Sequence, residues 1–433
     1  MIAKDQDHRI RGSVDALNRA EVLISGGVTS GLRRALEPQA LSFESGHGSH
    51  LKDVDGNEYI DYVLGWGPAI LGHTHPAVTE AVEIQVRKGQ VFGAIHPGER
   101  LAAERLLACV PQFSRVLFSN TGTEAVQVAL RLARAATGRN LIVKCAGAYH
   151  GWHDTMLLSY HQHTGGHRAV SNTLGQNPRA LDDVLVIDFN DVESVQSVFR
   201  QYGQDIAAVI IDPVLSNGGL IEPDPAFLTL LREQCDRTGA LLIYDEVITG
   251  FRIALGGAVE LYGVVPDLAI YAKAMANGFP ISAVAGQPEV IDLVTQGVVH
   301  AGTYNGNAIA TAATAVTLEF LALPGTYELL WAHAQALAKG LQNVFDVHGV
   351  DAQAHHLGPI VQILFGKTHP ISPRDFDETD WTLWNQWSRS LSPEGLFLLP
   401  HGRMFLSTAH TAEDIQRTIK AFEGVIQHEK DRF

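Results

Sequence analysis

Lys273 closes the apolar run LAIYAK, a place where burial is expected. Burial of an unpaired lysine lowers its pKa, which makes the amine a nucleophile toward an aldehyde. A lysine snorkelling from a strand end would leave the same local pattern. Asp245 ends the similar run ALLIYD. A buried carboxylate needs a cation or hydrogen bonds. A protonated ring nitrogen would meet that need and keep the ring an electron sink; pairing with Arg252, or capping of the next helix, is the alternative. The segment SNTGTEAVQVALRLAR ends a strand at Asn120 and opens an amphipathic helix with Thr121, Gly122 and Thr123. Backbone N–H groups at a helix start, with two hydroxyls, make an anion cradle that needs no basic patch. Thr121 and Glu124 also have the spacing of a capping box, and both readings can hold together.

Tyr149-His150-Gly151 follows the run LIVKCAG. An aromatic there could stack on a flat ring, with the glycine making room, or could be a packed core tyrosine. His150, His153, His161, His163 and His167 lie close together in sequence, but no acidic or cysteine ligands accompany them at zinc-like spacing, so no metal is expected.

These residues need a frame that brings them together. From about 61 to 310, the runs RVLFSN, NLIVKCAG, DVLVIDFND, AAVIIDP, ALLIYDEV, LAIYAK and SAVAGQ alternate with amphipathic helical stretches. Nearly continuous hydrophobicity suits strands buried on both faces, hence an α/β fold with a mainly parallel sheet covered by helices. Ligands in such sheets gather at the carboxyl ends of the strands, where Asn120–Thr123, Tyr149–His150, Asp212, Asp245 and Lys273 all fall. Residues 1–60 read as a helix, a glycine-rich stretch and a hairpin turning at Asp55-Gly56-Asn57. They should join a smaller α+β domain formed by residues 311–433, in which IVQILF and RMFLS are strands and AEDIQRTIKAFEGVIQ is a helix. The stretch THPISPRDFDETDWTLW, rich in proline and charge, reads as a surface excursion.

Composition narrows the partners. The chain has 433 residues, 46% hydrophobic and 18% charged, enough for a large core and more than one domain. A formal charge of −15 argues against nucleic acid or an anionic membrane, so any phosphate must be held by local donors. Three cysteines without paired spacing make a disulfide framework or a zinc site unexpected. The first 30 residues hold no apolar run of signal length, and a soluble cytoplasmic protein is the default expectation.

The motifs GGVTSGLRR, VDGNEYIDYVLGWGPAILGHTHP, FSNTGTEAVQVALRLARAATGR, AYHGWHD, IDPV, LLIYDEVITGFR, PDLAIYAKAMANGFP, AGTYNGN and FLSTAHTAEDI occur in this order across nearly the whole chain. Together they resemble the class III, fold-type I, pyridoxal-phosphate (PLP) dependent aminotransferases, with the glutamate-1-semialdehyde aminomutases as the nearest subgroup. The resemblance implies a mainly parallel seven-stranded sheet with helices on both faces and a smaller α+β domain. It implies that Lys273 carries the coenzyme as a Schiff base and that Asp245 partners the pyridine nitrogen. Val247 and Tyr149 match residues on the two ring faces, His150 stands beside Tyr149 in the same motif, and Thr121, Gly122 and Thr123 match the phosphate cup. Thr303 matches a phosphate ligand from the second subunit of a homodimer with shared active sites. Arg33, with Arg34 adjacent, matches a substrate-carboxylate ligand, and Trp66 matches a wall of the substrate pocket. Guanidinium binds carboxylate bidentately, which gives Arg33 a physical case.

Departures from the family pattern shape the expected reaction. Asp212-Pro213 stands where Glu-Pro is usual, the stretch MLLSYHQHTGGHRAVSNTLGQNPRAL differs from the aminomutases' gating loop, and PHGRMFLS has Arg403 near a missing glutamate. Losing the loop and the glutamate together favours an aminotransferase that passes an amino group from an α- or β-amino acid, with room for an aromatic or bulky side chain, to a 2-oxo acid. The alternatives are glutamate-1-semialdehyde 2,1-aminomutase, an amino-acid racemase or epimerase, and a non-catalytic PLP-fold binding protein.

Overall fold

The computed structural model describes residues 8–36, 41–160, 166–366, 372, 373, 376, 379 and 381–430. The chain divides into two compact units, one made of Met1–Pro76, Glu328–His369 and Thr379–Phe433, the other of Ala77–Tyr327 and Pro370–Glu378. The divisions thus fall at 76/77 and 327/328, where the sequence suggested 60/61 and 310/311.

The strands are, in chain order, β1 (Phe43–His47), β2 (His50–Asp53), β3 (Glu58–Asp61), β4 (Arg115–Ser119), β5 (Leu141–Cys145), β6 (Val184–Ile187), β7 (Ile206–Ile211), β8 (Leu241–Asp245), β9 (Leu268–Tyr271), β10 (Ser282–Gly286), β11 (Ala352–Leu357), β12 (Ile360–Phe365), β13 (Leu396–Phe397) and β14 (Arg403–Phe405). In the unit containing residues 77–327 they form a seven-stranded sheet in the order β4-β10-β9-β8-β7-β5-β6. Only β10 runs against its neighbours; β5, β6, β7, β8 and β9 are parallel. Every residue of β6, β7, β9 and β10 is buried, which is why these strands read as unbroken apolar runs. The helix Gly122–Thr137 covers one face with Ala125, Val128, Ala129, Leu132 and Ala133, packed in one core with Ile142, Ile210, Ile243 and Ile270. Alternate side chains such as Val143, Val209, Leu242 and Tyr271 are equally buried, so the second face is covered too.

The other unit holds a four-stranded sheet, β1-β2-β3-β13, and an antiparallel three-stranded sheet, β11-β12-β14. The expected hairpin joins β2 to β3, and Gly56 turns it with φ +88°. Its core gathers Ile60, Tyr62, Leu337, Phe345, Val361, Trp384, Trp387 and Phe422. Trp384 corrects one expectation. Most of THPISPRDFDETDWTLW lies outside the described residues, but its last four residues open the helix Trp381–Leu391, and Trp384 is fully buried. Tryptophans at 381, 384 and 387 share one helical face, and that apolar stripe overrides the polar composition before it.

Candidate active site

The parallel strands bring their carboxyl ends to one edge of the seven-stranded sheet, and the polar residues beyond those ends meet there. Asp245 ends β8 and is only 4% exposed. Its Oδ1 accepts the Val247 N–H at 3.1 Å, and its Oδ2 lies 2.8 Å from Nδ1 of His150. His150 is fully buried; burial lowers its pKa against the opposing pull of the Asp245 hydrogen bond. A neutral ring facing a carboxylate donates through Nδ1–H, which leaves Nε2 as a bare acceptor, and Nε2 has no hydrogen-bond partner. Asp212, just past β7 and 7% exposed, places an oxygen 3.9 Å from the same Nδ1.

His150, Asp212 and Asp245 thus hold one nitrogen and two carboxylate oxygens within 4.8 Å of one another, the one grouping of metal-ligand type among the described residues. The sequence reading considered only histidines near one another in sequence and missed it. The signal was available: each of the three lies at or just past the end of a parallel strand. Two carboxylates buried this close together favour positive charge nearby.

Lys273 lies near Asp245 through strand pairing: Asp245 pairs with Ile270 in β9, and the Glu246 N–H donates to the Ile270 carbonyl at 2.9 Å. The strand stops at Tyr271, two residues short of the expected end, so Lys273 opens a 3₁₀ turn and is half-buried, not buried. Its φ of +46° is a left-handed conformation that a side chain of this size rarely adopts.

The helix start at Thr121 is a complete capping box. The Glu124 N–H donates to Oγ1 of Thr121, and Oε2 of Glu124 accepts the Asn120 and Thr121 N–H groups at 2.7 and 3.2 Å. The N–H groups of Gly122 and Thr123 are those of the first turn that a helix cannot satisfy itself, and they can receive an anion. Two glycines create space around them. A Cβ on Gly122 would stand 3.1 Å from Val247, and one on Gly151, where φ is +95°, would stand 2.7 Å from Oγ1 of Thr123. Thr121–Thr123, Val247 and Gly151 are therefore in contact range. Tyr149 is half-buried, its ring centroid is 5.2 Å from that of Tyr160, and burial, with the nearby Asp245 charge, raises its hydroxyl pKa. Thr303 is exposed on a turn that Asn305 ties to Asn120 with a 3.0 Å hydrogen bond.

The remaining expected site residues lie in the other unit. Arg33 is exposed and donates to Thr29 at 3.0 Å; Arg34 stacks its guanidinium against Gly26. Trp66 sits in a run of left-handed residues from Leu64 to Gly67, with its own φ at +73°. Asp61 anchors that run by accepting the Val63 and Leu64 N–H groups, each at 2.8 Å, and bonding His73 at 2.7 Å. Gly67 lies against the Phe405 ring, and the Arg403 guanidinium is 5.2 Å from the centre of the same ring. Gly67, which follows Trp66, and Arg403 thus lie against the same Phe405 ring.

Residues 33–426 match the class-III aminotransferase family. The chain belongs to that family. It is 40% identical to the glutamate-1-semialdehyde 2,1-aminomutase of Methanopyrus kandleri over 96% of this chain and 97% of that protein. Among solved structures it is similar to an omega-transaminase from Sphaerobacter thermophilus, with 32% identity, a TM-score of 0.91 and coverage of 96% and 97%. A transaminase with PLP bound gives 30% identity, a TM-score of 0.88 and coverage of 97% and 99%. The fold is that of the fold-type I PLP enzymes, the protein is a PLP-dependent enzyme acting on small molecules, and its cofactor is pyridoxal 5′-phosphate. The residues present fit that cofactor: a helix start whose free N–H groups can receive an anion, two glycines clearing space around it, the buried carboxylates of Asp212 and Asp245, and Lys273 three residues past the β9 residue that pairs with Asp245. Among the described residues no single helix is long and apolar enough to cross a membrane.

Proposed function

We propose that this class-III enzyme moves an amino group on a small carboxylate-bearing substrate, with Lys273 and Asp245 as its catalytic residues. The observation that carries this reading is the pair of buried carboxylates at adjoining strand ends, with Lys273 in a left-handed turn three residues past Ile270, the strand partner of Asp245. When bound, PLP supplies an aldehyde that takes up the amine and a ring that accepts the electron pair of the neighbouring carbon. Asp245 holds a proton on the ring nitrogen, a positive partner for its buried carboxylate. Thr121, Gly122 and Thr123 hold the phosphate. Val247 and Tyr149 flank the ring, and His150 orients Asp245 through the 2.8 Å bond. Lys273 removes the proton from the substrate carbon and returns it, acting as base and then as acid. Arg33 binds the substrate carboxylate, and Trp66 lines the pocket.

A second copy of the chain completes the site with its own Thr303. Val299, Tyr304 and Ile95 support this, since they are 63%, 61% and 93% exposed, apolar surface that a lone chain leaves in water.

For the overall reaction, glutamate-1-semialdehyde 2,1-aminomutation is the better supported reading, because the Methanopyrus relative of that name aligns along the whole chain. The sequence alone had ranked this second. Transfer to a separate 2-oxo acid is the other reading. It rests on the changed stretch in place of the gating loop, on Arg403 near the missing glutamate, and on likeness to the omega-transaminase.

One assay separates them. Enzyme in the pyridoxamine form is given glutamate-1-semialdehyde with no oxo acid, and 5-aminolevulinate is followed. Sustained turnover supports the aminomutase. No product there, together with amino transfer from an amino acid to an added 2-oxo acid, establishes the transaminase. Bound PLP whose absorption never responds to any amine would contradict both.

A further inference from the structure

Lys144 is the only lysine among the described residues with no solvent exposure. It lies one residue before the end of β5, in register with Val186 of β6 and Ile210 of β7. An ammonium inside an apolar sheet is tolerated only when its three N–H groups are donated. They go to the carbonyls of Ala148 at 2.8 Å, Met156 at 3.4 Å, and Leu158. All three acceptors belong to one segment, and it is the segment that carries Tyr149 and His150. That segment also ties back on itself, with the Gly147 N–H donating to the Ser159 carbonyl at 2.8 Å.

Charge makes a second connection. Burial pushes the Lys144 amine down to about 8, and the nearby Asp212 carboxylate pulls it back toward the protonated form. Lys144 thus places a charge-bearing amine next to Asp212, one of the three residues grouped with His150 and Asp245 at the site.

We propose that Lys144 is a positioning residue of the coenzyme site, holding the Ala148–Leu158 segment so that Tyr149 and His150 meet the coenzyme ring and offsetting the charge of Asp212. The inference rests on the placement of Tyr149 and His150 at the coenzyme given above.

The test uses holoenzyme carrying Lys144→Met, which keeps the chain length but removes the charge and all three donors. Lys144→Gln restores two uncharged donors. The readouts are PLP affinity, visible circular dichroism of bound coenzyme, and the pH midpoint of its visible band. For Lys144→Met the expected results are PLP binding weakened roughly tenfold or more, the loss of about one charge-assisted hydrogen bond, a reduced visible dichroic signal, and a midpoint moved upward, because removing a positive charge favours protonation nearby. Lys144→Gln should recover part of the dichroic signal but keep the shifted midpoint. A folded Lys144→Met protein with a lower thermal midpoint but wild-type dichroism and wild-type pH midpoint would overturn the inference. Tyr149→Ala separates the two levels of the argument. If it alone abolishes the signal, only the role of Lys144 falls; if it changes nothing, the placement of Tyr149 falls, and the inference with it. Should neither Lys144 variant fold, 15N-lysine NMR of the wild type decides: the slowly exchanging buried ammonium must shift when PLP is removed, and an unmoved resonance refutes the proposal.

Discussion

Glu246 offers a quantitative test of the electrostatics around the site. It follows Asp245 directly and has no solvent exposure. Its carboxylate accepts the Thr249 hydroxyl at 2.6 Å and the Ala258 N–H at 2.9 Å. Burial pushes its pKa from 4.5 up to about 7; the hydrogen bonds from Thr249 and Ala258 oppose this and the Asp245 charge adds to it. The folded protein therefore keeps this proton to a higher pH than the unfolded chain does. Its contribution to stability is fully present below the unfolded value and is lost as pH rises through the folded one. At about 1.4 kcal/mol per pKa unit, the loss amounts to about 3 kcal/mol once the pH exceeds the folded value. Glu246→Gln has no charge to bury but gives up one acceptor, worth about 1 kcal/mol. The variant should be equal to wild type or slightly weaker at pH 5, and more stable by about 2 kcal/mol at pH 8. Calorimetric midpoints of both proteins at the two pH values, with PLP saturating throughout, measure this. A midpoint difference that is the same at pH 5 and pH 8 would refute the reasoning.

Gly151→Ala should weaken PLP retention by about 1–3 kcal/mol, since a Cβ there meets Thr123 at 2.7 Å and φ is +95°; equilibrium dialysis of the coenzyme checks it. Asp414 bonds His50 at 3.2 Å and accepts the Thr411 N–H at 2.9 Å. Its burial is outweighed by these bonds and one from Ser49, which hold its carboxyl well below the usual range, and the Asp414 bond raises His50. The carboxylate's stabilisation is lost as pH falls below about 4, and the imidazolium's as pH rises above about 6.5. Asp414→Asn should thus cost most between those values, about 1 kcal/mol for this pair of a buried carboxylate and a partly exposed imidazole, as read by thermal midpoints across pH. Arg33→Ala should raise KM for a carboxylate substrate at least roughly tenfold and Arg403→Ala much less, in steady-state kinetics; the reverse order would move the carboxylate site to Arg403.

The parallel sheet and the helix start at Thr121 were legible because their signals are local. Unbroken apolar runs mark strands buried on both faces, and Thr121 with Glu124 marks a helix start. The grouping of His150, Asp212 and Asp245 was less legible because it depends on strand order: β8, β7 and β5 are neighbours in the sheet although other elements separate them in the chain. Lys144 stood in plain view as a charge within LIVKC, yet its three acceptors become visible only once the segment after β5 has folded around it. Trp384 was hidden by composition, since charge and proline before it outweighed a helical stripe that begins at Trp381. The half-exposure of Lys273 follows from where β9 stops, a boundary that apolar periodicity does not mark.

The central claim is that Lys273 is the residue to which the coenzyme is joined. Borohydride reduction of the PLP-loaded protein, followed by proteolysis and mass spectrometry, tests it directly. The account predicts one phosphopyridoxyl peptide, containing AIYAKAMANG and modified at Lys273. Modification of Lys144 or any other lysine instead, or none while PLP is demonstrably bound, would contradict it.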